Sequence, residues 1–242
     1  MAEHAHTREA IRQRLSQARR PNYLRDWVYG GIDGAVTTFA VVSGVAGAQL
    51  SSRVIIILGL ANLLADGFSM AASNYSGTKT EIDDRRRLTE VEKRHIALFP
   101  EGEREEIRQI LAAKGLSGPS LEDAVAAVTA NKETWIATML AEEYGLAASV
   151  RSPLLAGAQT FLAFVLCGAI PLLPYLLGLA SPLAWATGLT ALVFFVIGSA
   201  KSLWSLDHWT RSGLETLAIG LGAASVAYLV GHLLRGLGTP AS

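Results

Sequence analysis

Asn62, Asp66, Met70, Ser73 and Asn74 recur at i, i+4, i+8 and i+11/12, a spacing that lines them up on one face of a helix. Around them, residues 54–78 are otherwise apolar or small. An amide, a carboxylate and a thioether facing one way inside a bilayer-length segment are costly unless they face a cavity or an ion path. Asp33 is the only ionised side chain between Trp27 and Ser52, in the preceding apolar segment. It offers a second carboxylate to a passing cation.

A second group of candidate ligands lies in a hydrophilic stretch that follows. Glu92 and His95 are i, i+3, Glu103 and Glu106 are i, i+3, and Met139 and Glu143 are i, i+4 with Glu142 beside them. Each pair projects from one helix face, and breaks at Pro100 and Gly115 allow the faces to converge. Helical bundles hold carboxylate-bridged metals with Glu-x-x-His and Glu residues of this kind. Oxygen ligands with one imidazole suit first-row divalent ions, and a thioether shifts preference toward softer ones such as Fe²⁺. The bland alternative is a solvated acidic face, with Glu103 and Glu106 favouring a helix N-terminus. Apart from the initiator, the chain's only methionines are Met70 and Met139, both at candidate metal positions. Either could equally be core filler.

The elements that must position these residues are helical, and no stretch alternates as a strand would. Five apolar segments of membrane-spanning length occur, at about 28–50, 54–78, 153–178, 182–204 and 213–235. The run from Ser152 to Ala200 holds no ionised side chain in 49 residues. Between the second and third spans, residues 81–150 contain 14 of the 21 acidic residues and nine basic ones. Breakers divide that insert into helices ending near Ala97, Ala113, Ala130 and Tyr144. The expected fold is therefore an all-α membrane protein of five transmembrane helices, with a helical insert between spans two and three. The domains are 1–26, a basic N-terminal helix; 27–80, spans one and two; 81–150, the insert; and 151–242, spans three to five.

Charge sets the orientation. Arg8, Arg12, Arg14, Arg19, Arg20 and Arg25 precede the first span, and Lys201 and Arg211 lie between spans four and five. The opposite turns hold only Arg53, and the tail has Arg235. The positive-inside rule puts the N-terminus, the insert and the 201–211 turn in the cytosol. The N-terminal 25 residues contain no apolar core of a cleaved signal peptide. They read either as a short amphipathic helix on anionic headgroups or as a solvated basic tail. Cys167, the only cysteine, excludes an intrachain disulfide and a cysteine zinc site, and suits a small buried apolar role.

Several segments match one family. Asp33-Gly-Ala-Val-Thr-Thr-Phe and Gly59-Leu-Ala-Asn-Leu-Leu-Ala-Asp-Gly-Phe-Ser-Met resemble the first two spans of the vacuolar iron transporter family. Thr138-Met-Leu-Ala-Glu-Glu-Tyr-Gly-Leu, the run from Phe161 to Tyr175, and Arg211-Ser-Gly-Leu-Glu continue the match, which covers nearly everything after residue 27. The resemblance implies a homodimer with the ion path between first spans, a cytosolic metal-binding insert, and export of Fe²⁺, often with Mn²⁺, in exchange for protons. The path would use Asp33 and Met70, with Asn62 where some members have Glu; Asp66 lies on the same stripe. The insert ligands would be Glu92, His95, Glu103, Glu106, Met139 and Glu143. Here His95 stands where Glu is expected, and Leu140 where some relatives have a second Met. Asn62 cannot carry a proton, so Asp33 or Asp66 would couple protons in its place.

The expected function is thus a divalent metal cation transporter exporting Fe²⁺, with Mn²⁺ as a second cargo, by proton antiport. Metal is substrate and bound ion, with no prosthetic group. The partners are protons, the lipid bilayer and a second copy of the chain, with no nucleic acid. The membrane is a bacterial inner membrane, or a vacuolar one in a eukaryote. Two alternatives are a membrane-anchored metal buffer or sensor and a ferroxidase-like di-metal carboxylate enzyme. The polar stripe in span two argues against the first, and the presence of only one Glu-x-x-His against the second, leaving a non-enzyme as the expectation.

Overall fold

The computed structural model describes residues 5–16, 21–146 and 151–235. The helices in chain order are α1 (Arg8–Ser16), α2 (Leu24–Gly47), α3 (Ser52–Leu98), α4 (Pro100–Ala113), α5 (Pro119–Thr129) and α6 (Lys132–Glu142). They continue with α7 (Pro153–Ala169), a 3₁₀ turn Ile170–Leu172 leading into α8 (Leu173–Leu176), α9 (Pro182–Lys201) and α10 (Trp209–Leu233). The described residues contain no strand. Five stretches are long and apolar enough to cross a membrane: α2, α3, Pro153–Leu176, α9 and α10. Arg19, Arg20, Val150 and residues 236–242 lie outside the described residues.

The chain divides into two compact units. The first, residues 22–76 and 153–242, is apolar. Its central helix is α2, packed by α7, α9 and α10. Gly30 and Gly34 lie so close to the backbone of α7 at Thr160 and Phe164 that a Cβ would collide. Gly231 presses in the same way on the carbonyl of Gly44, bringing α10 against α2. Between helices in lipid, such close approach replaces the water-driven attraction that a soluble protein relies on. Phe39, Val42, Phe164 and Leu172 fill the middle of this unit.

The second unit comprises residues 1–21 and 77–152. The latter half of α3 belongs here, and α3 runs on as one helix through Leu98. Pro100 both ends α3 and opens α4, since a proline is tolerated in the first turn of a helix but not inside one. Asn131 caps α6 by accepting from the Thr134 N–H at 2.9 Å. Ile107, Val125, Trp135 and Met139 form one small apolar core, and Leu88, Ile136 and Leu140 another.

Candidate functional site

In the insert unit, the last turns of α3 turn Glu92 fully inward, with 1 % of its surface exposed, and leave His95 half-exposed at the rim. The break at Phe99 restarts the helix, so Glu103 and Glu106 occupy the first turns of α4. Glu103 is also buried. His95 Nδ1 lies 3.4 Å from Glu103 Oε1 and 4.0 Å from Glu92 Oε1. One atom from each of the three residues falls within 4.8 Å of the other two, close enough to hold one ion. The third wall comes from the end of α6. There Gly145 adopts a left-handed backbone (φ 65°) and Leu146 N–H bonds back to the Leu140 carbonyl, closing the helix. Tyr144 packs on the Leu88–Ile136–Leu140 cluster and donates its hydroxyl to Glu92 Oε1 at 2.9 Å.

This concentration of carboxylates perturbs itself. Burial, then repulsion from Glu106 and Glu92, pushes the Glu103 carboxyl up to about 7, with Glu143 adding to it. Burial also raises Glu143; the Tyr144 hydroxyl opposes this, and Glu92 and Glu106 reinforce it. The Tyr144 phenol is held above its ordinary range by burial and by its bond to Glu92. The second oxygens of Glu92 and Glu103 are buried without a hydrogen-bond partner. Such groups are costly unless something fills their coordination.

The neighbouring acids are in a different position. Glu101 pairs with Arg104, Glu105 and Glu122 with Arg108, Glu90 with Lys93, Asp83 with Lys79 and Asp84 with Arg87. Among the described residues, none of Glu92, Glu103, Glu106 and Glu143 pairs with a lysine or arginine. Glu142 bonds Lys114 at 2.7 Å and so faces away from the group. Met139 is fully buried among Ile107, Val125 and Trp135, the surroundings of a core side chain.

In the apolar unit, Asp33 is half-buried on α2 and Asp66 is half-buried on α3. Thr37 donates to the Asp33 carbonyl at 2.8 Å. Asn62 is half-buried, and its amide nitrogen lies in the interior without a hydrogen-bond partner. Met70 is half-buried against the apolar core and Ser73 is exposed. Asn74 turns inward: its amide donates to Asp26 Oδ1 at 2.8 Å, to Thr160 Oγ1 at 2.7 Å and to the Ala156 carbonyl at 3.2 Å.

Two of these residues were missing from the expected sites. Asp26 is 3 % exposed because α2 begins at Leu24, earlier than the apolar run suggests. Its signal was position: seven residues before Asp33, on the same helix face, yet adjacent to Arg25 and so resembling surface. Through Asn74 it links α2, α3 and α7. Tyr144 had no signal of its own beyond its place next to Glu143.

The family model described as the VIT family matches residues 24–232. Vacuolar iron transporter 1 of Arabidopsis thaliana is 31 % identical over 215 residues, covering 88 % of this chain and 86 % of its own. The vacuolar iron transporter of Toxoplasma gondii is 31 % identical over 226 residues, covering 88 % and 75 %. Vacuolar iron transporter 2 of Oryza sativa subsp. japonica is 31 % identical over 210 residues, covering 85 % of each.

Proposed function

The chain belongs to the VIT family, and on that premise we propose that it is a multi-pass membrane transporter that moves Fe²⁺, with Mn²⁺ as a second cargo, out of the cytosol in exchange for protons. The observation that carries transport is that Asp33 and Asp66 are each the only ionised side chain of a membrane-length apolar stretch, residues 27–52 and 54–78. A metal buffer needs no such pair, and intramembrane carboxylates mark ion pathways. The similar proteins are named transporters, not enzymes.

In this reading residues 81–150 form a cytosolic domain that gathers divalent cations. Its negative field raises their local concentration, and Glu92, His95, Glu103, Glu106 and Glu143 bind them. The ion then passes Asp33, Asn62, Asp66 and Met70, shared between two copies of the chain. Arrival of a proton at Asp33 or Asp66 removes the negative charge that held the metal and releases it, so protons and metal compete for the same oxygens. The N-terminus faces the cytosol, and the membrane is a bacterial inner membrane, or a vacuolar one in a eukaryote. The test is metal flux into proteoliposomes under an imposed pH gradient, with Fe²⁺, Mn²⁺, Co²⁺ and Zn²⁺ in competition. Flux driven by the gradient and led by Fe²⁺ is expected; metal binding without flux would leave the buffer reading.

A further inference from the structure

We propose that His95 is the selectivity-determining ligand of the insert, making it a mixed nitrogen–oxygen site that binds Fe²⁺ and its later neighbours in preference to Mn²⁺. This rests on the reading of the insert as a metal site and adds what that reading leaves open, the choice of ion.

The geometry fits an imidazole ligand. Two donors each about 2.1 Å from one ion stand about 3.0 Å apart at a right angle and about 4.2 Å apart when opposite. The separations from His95 Nδ1, 3.4 Å to Glu103 Oε1 and 4.0 Å to Glu92 Oε1, fall inside that interval. The unpartnered second oxygens of Glu92 and Glu103 leave further coordination available. The nitrogen facing the carboxylates is Nδ1, so Nε2 is free to keep its proton when Nδ1 binds metal.

Position divides the labour. The two carboxylates are buried, whereas His95 is half-exposed, so an arriving hydrated ion meets the imidazole on its way to the acids. Carboxylates supply charge, which all divalent ions share, and they suit Mn²⁺ well. A nitrogen donor is the element that separates Mn²⁺ from Fe²⁺, Co²⁺ and Zn²⁺, because affinity for nitrogen rises from Mn²⁺ onward. Cys167 is the only cysteine and lies in the apolar unit, and Met139 sits in the apolar core. That leaves His95 as the one group of the cluster that is not an oxygen donor.

The experiment uses the full chain in nanodiscs of zwitterionic lipid, carrying Asp33→Asn to silence the membrane path. Calorimetry measures Co²⁺, an air-stable stand-in for Fe²⁺, and Mn²⁺ binding to this background and to His95→Glu and His95→Gln versions. His95→Glu is expected to narrow the Co²⁺/Mn²⁺ affinity ratio by about tenfold, mainly by improving Mn²⁺ binding. His95→Gln should weaken Co²⁺ more than Mn²⁺. Pulsed electron paramagnetic resonance of bound Mn²⁺ should show a ¹⁴N coupling that both variants lose. An unchanged ratio in both, or no nitrogen coupling, overturns the assignment of His95. If Glu92→Gln with Glu103→Gln leaves binding intact, the insert site itself fails; if that double abolishes binding while His95→Glu leaves selectivity alone, only the inference about His95 does.

Discussion

In the apolar unit, hydroxyl groups turn back onto their own helices: Thr160 donates to Ala156, Thr187 to Leu183, Thr216 to Ser212 and Ser225 to Leu221. In the insert the same back-bonding recurs, Thr89 to Arg85, Thr129 to Val125 and Thr138 to Thr134, and what is added is pairing of acid with base along or across helices, as Arg108 does with Glu105 and Glu122. The difference lies in the charged pairs. Lipid offers no partner for a polar group, so the helix must supply one. Water tolerates charge, and exposed pairs there contribute little more than solubility. Against both backgrounds, the same feature stands out: carboxylates with no basic partner among the described residues. Asp33 and Asp66 are such a pair in one unit, and Glu92, Glu103, Glu106 and Glu143 such a group in the other. Under the proposed function, a divalent cation is the partner for both sets.

If that comparison is right, removing an unpaired carboxylate should matter far more than removing a paired one, and most of all in the apolar unit. Asp33→Ala is expected to reduce flux in proteoliposomes to the level of protein-free vesicles. Its thermal unfolding in detergent should match the parent, since Asp33 makes no ion pair that folding depends on. Flux near the parent's would remove Asp33 from the path.

Within the insert, Glu103→Ala with Glu106→Ala should weaken metal binding by about 100-fold, the upper range for loss of groups at a metal site. Glu122→Ala with Asp123→Ala removes the same charge but takes Glu122 from Arg108, and should cost only a few-fold, screened by added salt. Equal losses in calorimetry would mean that a diffuse field, not coordination, attracts the metal.

Tyr144→Phe sharpens the comparison by leaving every carboxylate in place. Without its hydroxyl, Glu92 Oε1 loses the donor that orients it. Metal affinity should fall about tenfold, as for other outer-shell partners. An unchanged affinity would show that helix packing alone orients Glu92.

The smallest effect expected is in proton release. Because the Glu103 carboxyl is pushed up to about 7, the folded insert holds a proton between the ordinary carboxylate range and neutrality that the unfolded chain has lost. Glu103's contribution to the stability of the metal-free insert is therefore fully present below the ordinary carboxylate range and is lost as pH rises through that window, the loss being complete above about 7. Under the proposed function, metal binding displaces this proton. Calorimetry in buffers of different ionisation enthalpy should detect up to about one proton released at pH 6 and almost none at pH 8. Equal release at both would mean that Glu103 is ionised before the metal arrives.

The apolar spans were legible because their signal is composition summed over some 20 residues, which no neighbour in space can change. Asp33 and Asp66 were legible for the same reason, as rare charges in an apolar run. The pairs Glu92–His95 and Glu103–Glu106 could be placed on helix faces by spacing. Which of the insert's many acids are unpartnered could not be read this way. Glu142 and Glu143 are adjacent, and only packing sends Glu142 to Lys114 and leaves Glu143 with the group. Met139, spaced as a ligand, is surrounded by Ile107, Val125 and Trp135.

The sequence by itself determined an all-α chain with five spans, a charged insert and a family. It also determined the residue types available to a cation. Tertiary structure decided which of them meet: that Asp26 is drawn inside and held by Asn74, that Tyr144 reaches Glu92, and that His95 stands 3.4 Å from Glu103 across the break at Phe99. Periodicity fixes the face on which a side chain lies, but pairing depends on distances of a few ångströms between separate helices. Those distances follow from how the cores pack and where the chain turns, and no local pattern encodes them.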